Sequence, residues 1–201
     1  MKQFRAEIGK ETREFFLIIC EGKKTEPNYF EGYKKELPKF VINLEICGGC
    51  GNTRSLICHA ETRNATRKRV YGVGYDQIWL VFDKDDFPPS RFNDTILMAE
   101  SHGWKCAYSN EAFELWYLLH FEYCNTGISR QQYFKKLEKY IGTYEKNDPN
   151  IYDRLKELNT QKRAIRWANK LYNLYDHRQI ANEKPSTTVH KLVEELNKFI
   201  L

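Results

Sequence analysis

EFFLIICE (residues 14–21) and QIWLVFDKDD (residues 77–86) are the two segments that decide the fold. Each begins with a nearly continuous apolar run, which is typical of a strand buried inside a parallel sheet, and each ends in acid. Ligands of open parallel sheets bind where the carboxyl ends of the strands meet. We therefore expect a shared edge to bring together four acidic residues: Glu21, Asp83, Asp85 and Asp86.

Helical patterns alternate with these strands along the first part of the chain. Residues 40–47 and 104–109 predict two more strands. Helices are predicted at 26–37, from Thr53 to the glycines at 72 and 74, after Pro88 and Pro89 to about His102, and from Glu111 onwards. This alternation predicts an α/β fold with a four-stranded, mainly parallel sheet flanked by helices.

Beyond about Cys124 the pattern is helical alone. Helices are predicted at 130–141, 151–158, 161–175 and 187–199. Four polar residues precede predicted helices and are expected to cap them: Thr25, Asn110, Thr160 and Ser186. We expect residues 1–124 to form a metal-binding core and residues 125–201 to form an all-helical region packed on it.

The composition limits the class of protein. Hydrophobic residues make up 41% of the 201 residues, which is sufficient for a packed core, and no apolar run approaches the roughly 20 residues of a membrane span. The first residues, MKQFRAEIGKETREFF, lack the apolar core of a signal peptide. We expect a cytoplasmic protein that makes no membrane contact and keeps its six cysteines reduced.

The acids at the strand ends fit a divalent metal ion. Mg²⁺ prefers oxygen ligands, and one or two carboxylates with water and phosphate commonly complete its shell. The alternative is that the acids merely solvate a loop. Lys23 and Lys24 follow Glu21 and would contact phosphate, or else they neutralise Glu26 and Glu31 at the start of a helix.

A basic cluster points to nucleic acid as a partner. The formal charge is +5, and four cations lie close together: Arg63, Arg67, Lys68 and Arg69. Spaced along a helix, they suit contact with several phosphates. A solvated helix face is the competing explanation.

Four segments carry a resemblance to a known family. They are EFFLIICEGKKTEPNYF (14–30), IWLVFDKDDF (78–87), SNEAFELWYLLHF (109–121) and KPSTTVHKLVEEL (184–196). In this order they resemble the RloB-like family, whose core looks like a TOPRIM domain. TOPRIM domains occur in topoisomerases, primases and nucleases, and RloB-like proteins are associated with restriction loci and abortive infection of phage-infected bacteria.

The resemblance implies roles for individual residues. Glu21 would act as general acid or base beside Lys24, while Asp83 with Asp85, joined by Asp86 and Glu21, would hold Mg²⁺ or Mn²⁺. Glu114 matches the family's F-E-x-W and would be a further functional acid, or else an acid that stabilises a helix N-terminus. The glycine that usually follows the acidic motif of a TOPRIM domain is absent, since Phe87 and Pro88 stand there.

Two functions follow from this resemblance. The first is a metal-dependent nuclease that cuts DNA or RNA as the effector of an anti-phage system, alone or as a homo-oligomer. The second is a binding or sensing subunit that a separate ATPase controls. The chain has no G-x-x-x-x-G-K-[ST] loop, so in the second case the partner would hydrolyse the nucleotide.

Overall fold

The computed structural model describes residues 13–84 and 88–200. Its strands are β1 (Glu14–Cys20), β2 (Ile42–Cys47), β3 (Gln77–Asp83), β4 (Lys105–Asn110) and β5 (Ser186–Thr187). Its α-helices are α1 (Thr25–Lys34), α2 (Thr53–Tyr71), α3 (Pro89–Ser101), α4 (Glu114–Leu118), α5 (Arg130–Ile141), α6 (Ile151–Glu157), α7 (Gln161–Tyr172) and α8 (Val189–Asn197). A short 3-10 helix spans Ile180–Asn182.

The sheet has the strand order β2-β1-β3-β4-β5. The first four strands are parallel, and β5 pairs with β4 in the antiparallel direction. The α/β prediction is therefore confirmed, as are the bounds of β1 and β3, whose apolar runs are buried on both faces. Helices end somewhat earlier than predicted, with α1 stopping at Lys34 and α7 at Tyr172.

Alternate residues of β1 pack into two separate cores. Phe16, Ile18 and Cys20 face a large core to which α1 and all helices from α4 to α8 contribute. Leu17 and Ile19 face a smaller core under α2 and α3. This period of two, with both sets of side chains buried, shows that helices cover both faces of β1, which pairs with β2 on one side and β3 on the other.

The prediction of four strands followed only by helices was wrong in one respect. Ser186, predicted to cap a helix, instead forms β5 with Thr187, and α8 begins at Val189. The two residues pair with Asn110 and Ser109 through their backbones. A two-residue strand held by backbone hydrogen bonds leaves no periodic signal in the sequence.

Two other predicted caps were also wrong. Asn110 ends β4, and its Nδ2 donates to the carbonyl of Ala181 over 3.0 Å, so α4 begins only at Glu114. Thr25 lies inside α1, and its Oγ1 donates to the carbonyl of Lys146 over 3.1 Å. Both side chains satisfy carbonyls from distant parts of the chain rather than amides of their own helix. Thr160 stands at the predicted cap position without making a capping hydrogen bond.

Among the helices that the structure describes, none combines the length and apolar character needed to cross a bilayer.

Candidate active site

Glu21 and Asp83 lie side by side at the carboxyl edge of the sheet. The amide of Glu21 extends the ladder between β1 and β3 by donating to the carbonyl of Val81 over 2.9 Å. The amide of Asp83 in turn donates to Oε2 of Glu21 over 3.2 Å. Asp85 and Asp86, the other two acids expected here, lie outside the described residues.

Two further carboxylates line the same cavity of about 500 Å³. Glu26, in the first turn of α1, is 5% exposed, and Glu114, the first residue of α4, is 1% exposed. Gly22 allows Glu26 to approach the loop after β1, because a Cβ there would lie 2.2 Å from its Oε2. The cavity thus contains four acids from four different elements or strand ends.

Burial and crowding raise the pKa of two of these acids, Asp83 and Glu26. Burial raises the pKa of Asp83 well above its usual value, the charges of Glu26 and Glu114 raise it further, and Arg130 opposes the shift. Burial likewise raises the pKa of Glu26, with Glu114 adding to the effect and Lys146 counteracting it. Carboxylates this close repel one another unless a cation compensates, so the cavity favours a positively charged ligand.

Tyrosines hold this part of the cavity wall in place. The hydroxyl of Tyr144 donates to Oε1 of Glu114 over 2.9 Å in a buried contact. The hydroxyl of Tyr117 donates to the carbonyl of Thr25 over 3.0 Å, which fastens α4 to the start of α1. The carboxylate of Glu114 is therefore oriented by a hydrogen bond from a separate loop.

Basic side chains surround the acids. Lys23, Lys24, Arg130 and Lys146 all line the cavity. Nη2 of Arg130 lies 3.7 Å from Oδ2 of Asp83. The loop that carries Lys146 is fixed to α1 by the hydrogen bond from Thr25, and Nδ2 of Asn28 donates to the carbonyl of Asn147 over 3.0 Å.

Sequence reasoning missed three of these residues as parts of the site: Glu26, Arg130 and Lys146. Glu26 has a usable signal, since an acid in the first turn of a helix that follows a buried strand lies at the carboxyl edge of the sheet. Arg130 and Lys146 come from the C-terminal region, and only the tertiary fold brings them here.

The residues present fit a hard divalent cation. Oδ1 of Asp83 is buried and has no hydrogen-bond partner within the described part of the chain. A buried carboxylate oxygen without a hydrogen-bond donor is available to coordinate a metal ion. Within residues 13–84 and 88–200, however, no three acidic, histidine or cysteine side chains are grouped closely enough to form a ready-made metal site. Water, substrate phosphate or the adjoining acids would have to complete the shell.

The basic cluster of α2 lies at the opposite edge of the sheet. The guanidinium of Arg67 stacks over Phe15, 3.7 Å from the ring centroid, and its Nε donates to the carbonyl of Gly74 over 3.0 Å. Nη1 of Arg63 lies 3.2 Å from Oε1 of Glu45. Phe15 is the second residue of β1, and Glu21 follows the end of that strand. Six residue steps at about 3.3 Å each therefore separate this cluster from the acids by roughly 20 Å.

Comparison with known proteins identifies the family. Neither the search of curated proteins nor the search of solved structures found a match. A family model described as RloB-like protein matches residues 16–196. This match covers most of the chain, so the chain belongs to the RloB-like family.

Proposed function

We propose that this chain cleaves phosphodiester bonds of nucleic acid with the help of Mg²⁺ or Mn²⁺, as a cytoplasmic effector of bacterial anti-phage defence. The supporting observation is the cavity at the carboxyl edge of the sheet, where four carboxylates and four basic side chains converge. Acids alone would suit a metal, and bases alone would suit an anion. Their combination suits a metal together with a phosphate. Membership of the RloB-like family is compatible with a defence-related role.

Two of the described acids are placed to hold the metal. Asp83, whose Oδ1 has no partner among the described residues, and Glu21 would hold the metal, with Asp85 and Asp86 beside them in the sequence. A bound ion of this kind polarises a phosphoryl oxygen and lowers the pKa of water.

The remaining residues bind substrate and move protons. Lys23, Lys24 and Lys146 would bind the phosphates that flank the scissile bond. Glu21, oriented by the amide of Asp83, would serve as general acid or base. Glu26, whose pKa is raised by burial, holds a proton more readily than an exposed glutamate and would supply it to the leaving oxygen.

The basic cluster of α2 would provide a second contact with nucleic acid. Lys68 and Arg69 are exposed in the last turn of α2, at the edge of the sheet opposite the acids. A duplex long enough to span the roughly 20 Å between the two edges could reach both surfaces. Arg67 contributes less, because its guanidinium is engaged by Phe15 and Gly74.

The experiment compares cleavage of DNA and RNA by the purified chain and by two variants, Glu21→Gln and Asp83→Asn, in the presence of Mg²⁺ or Mn²⁺. Both variants should lose cleavage while their circular dichroism stays unchanged. Glu100→Gln, an exposed acid on α3, is the matched control and should cut normally. Unchanged cutting by both site variants would contradict the proposal.

A second candidate function is a subunit whose activity depends on a separate ATPase. It is favoured by the proximity of Arg130 to Asp83. A partner that moved Arg130 away would open Asp83 to a metal. Stable co-purification with an ATPase, together with cleavage only in its presence, would establish this mode. Full cleavage by the isolated chain would exclude it.

A further inference from the structure

A second cavity, of about 170 Å³, lies further along α1 and is distinct from the acidic site. Its inner wall consists of buried aromatic side chains, namely Tyr29, Tyr33, His120 and Tyr152. Its outer wall is polar and includes Lys156 and Asn159, both exposed. An aromatic interior with a polar entrance is the usual form of a small-molecule site.

His120 gives this cavity an unusual property. The residue is 2% exposed, and neither of its ring nitrogens has a hydrogen-bond partner among the described residues. The hydroxyl of Tyr29, 1% exposed, makes no hydrogen bond of good geometry in that part of the chain either, although the side chains of Trp116 and Gln161 lie near it. Buried polar groups are nearly always paired, and leaving one unpaired costs about 1–3 kcal/mol. Two such side chains lining one cavity point to something that pairs with them there.

The other polar groups of the cavity are already satisfied by one another. Tyr33 donates from its hydroxyl to Oδ1 of Asn197, and Nδ2 of Asn197 donates to Oε1 of Gln161 over 3.0 Å. At the entrance, Lys156 pairs with Glu36. Among the polar side chains described in this cavity, those of His120 and Tyr29 are therefore the ones available to hydrogen-bond a ligand.

The cavity offers no unpaired charge to a ligand. Burial lowers the pKa of His120 to about 3, and the nearby charge of Arg163 contributes, so the imidazole is uncharged at neutral pH. A neutral imidazole offers one donor and one acceptor, and a tyrosine hydroxyl can act as either. An ionic ligand would lack a counter-charge, because the entrance charges neutralise each other. The matching ligand is uncharged and carries donors and acceptors on one edge.

The volume sets the size of the ligand. A cavity on the order of 150 Å³ accommodates benzene, so a cavity of about 170 Å³ accommodates one six-membered ring with small substituents. The ring of Tyr33 lies 5.0 Å from that of Tyr152, and His120 meets Trp116 edge to face at 5.0 Å, so flat aromatic surfaces line the space.

We propose that this cavity binds a single uncharged pyrimidine-type base, whose polar edge pairs with His120 and Tyr29 and whose ring packs against the surrounding tyrosines. The base could come from a free base or nucleoside, or from a nucleotide within a strand. Ordered water is the competing occupant, since about five molecules at roughly 30 Å³ each would fill the same space. The proposal does not depend on the cleavage reaction.

The test is isothermal titration calorimetry of the full chain with uracil, thymine and cytosine, without metal. Benzene serves as an apolar probe of similar size and adenine as a larger one. We expect saturable binding of at least one pyrimidine, ten times tighter or more than that of benzene or adenine. Oligothymidylate and oligouridylate, titrated in parallel, distinguish a strand from a free base as the source. The same titration of Asp83→Asn protein should give the same affinity, which separates this site from the proposed catalytic site.

Two variants test the contacts. Tyr29→Phe removes one oxygen and His120→Phe replaces the ring without its nitrogens, and each should weaken binding of the pyrimidine at least tenfold. Tyr71→Phe and His59→Phe change exposed residues elsewhere and should have no effect. If His120→Phe does not fold, Tyr29→Phe still tests the proposal, because it preserves the buried ring. Absence of saturable binding, equal affinity for benzene or adenine, or full affinity in Tyr29→Phe would each overturn it.

Discussion

The backbone amide of Asp83 donates a hydrogen bond to Oε2 of Glu21, which joins two strand ends that are 62 residues apart in the sequence. The bond orients one acid by means of the backbone of the other. It also places the carboxylate of Glu21 within the cavity that Glu26 and Glu114 line. Changes at Glu21 should therefore separate the effect of its charge from that of its hydrogen bond.

Glu21→Gln keeps a carbonyl oxygen that can accept from Asp83, whereas Glu21→Ala does not. We expect Glu21→Gln to retain the stability of the parent protein and Glu21→Ala to lose about 1 kcal/mol. Both should reduce cleavage at least 100-fold, because general acid–base catalysis typically contributes about that much or more. Urea unfolding and initial cleavage rates measure the two effects. Cleavage by Glu21→Gln at the parental rate would show that the charge is not needed.

Mg²⁺ should stabilise the folded protein through Asp83. At ten times its dissociation constant, a ligand that binds only the folded state adds about 1.4 kcal/mol to the free energy of unfolding. We expect a gain of this order in urea unfolding of the parent protein and of Glu100→Gln. Asp83→Asn should lose most of it. An equal gain in all three proteins would mean that the ion binds elsewhere.

Glu26 should make the protein less stable as the pH rises. Its pKa in the folded state lies above the unfolded value of about 4.3, so the folded protein holds the proton more tightly. Stability is therefore lost as the pH rises from the unfolded pKa through the folded one. Glu26→Gln removes this dependence. Between pH 4 and pH 8, its free energy of unfolding relative to the parent should increase by on the order of 1 kcal/mol. A difference that stays constant with pH, as expected for Glu100→Gln, would contradict the buried charge.

Tyr144→Phe removes the hydroxyl that donates to Glu114. Because Glu114 is buried, loss of this hydrogen bond should cost about 1–3 kcal/mol and lower the cleavage rate. Tyr140→Phe is the matched control, since its hydroxyl donates to Glu122 at an exposed position over 2.6 Å. It should cost less than about 0.5 kcal/mol and leave cleavage unchanged. Equal losses in the two variants would show that Glu114 does not depend on its buried partner.

The length of the substrate should reveal the second contact surface. Roughly 20 Å corresponds to about six base pairs at 3.4 Å each. Lys68→Gln combined with Arg69→Gln should weaken binding of a duplex of about 20 base pairs and reduce its salt dependence, without affecting a hairpin whose stem has four base pairs. Lys23→Gln combined with Lys146→Gln should weaken both. Fluorescence anisotropy at several salt concentrations measures these affinities. An equal effect of the α2 variant on both lengths would place that cluster at the catalytic cavity instead.

The sequence predicts the central strands well because their signal is local. The apolar runs of β1 and β3 define their own bounds, and Glu21 and Asp83 lie at one edge because parallel neighbours must align. Asn110 shows where local reasoning fails. Its preference for helix caps is overridden by pairing with β5 and by the carbonyl of Ala181. Arg130 and Lys146 could not be predicted as site residues, because no local sequence pattern around them indicates contact with the ends of β1 or β3.

The contribution of Lys146 and Arg130 to the cavity has a consequence for synthesis of the protein. A growing chain that has emerged only as far as α4 already contains Glu21, Glu26, Asp83 and Glu114, but lacks these two bases. It also lacks Tyr144, which holds Glu114, and β5, which covers the outer edge of β4. The acids on the nascent chain therefore precede the groups that balance and orient them. A ribosome-bound intermediate of this length should be inert towards nucleic acid, so that activity appears only after the chain has passed Thr187.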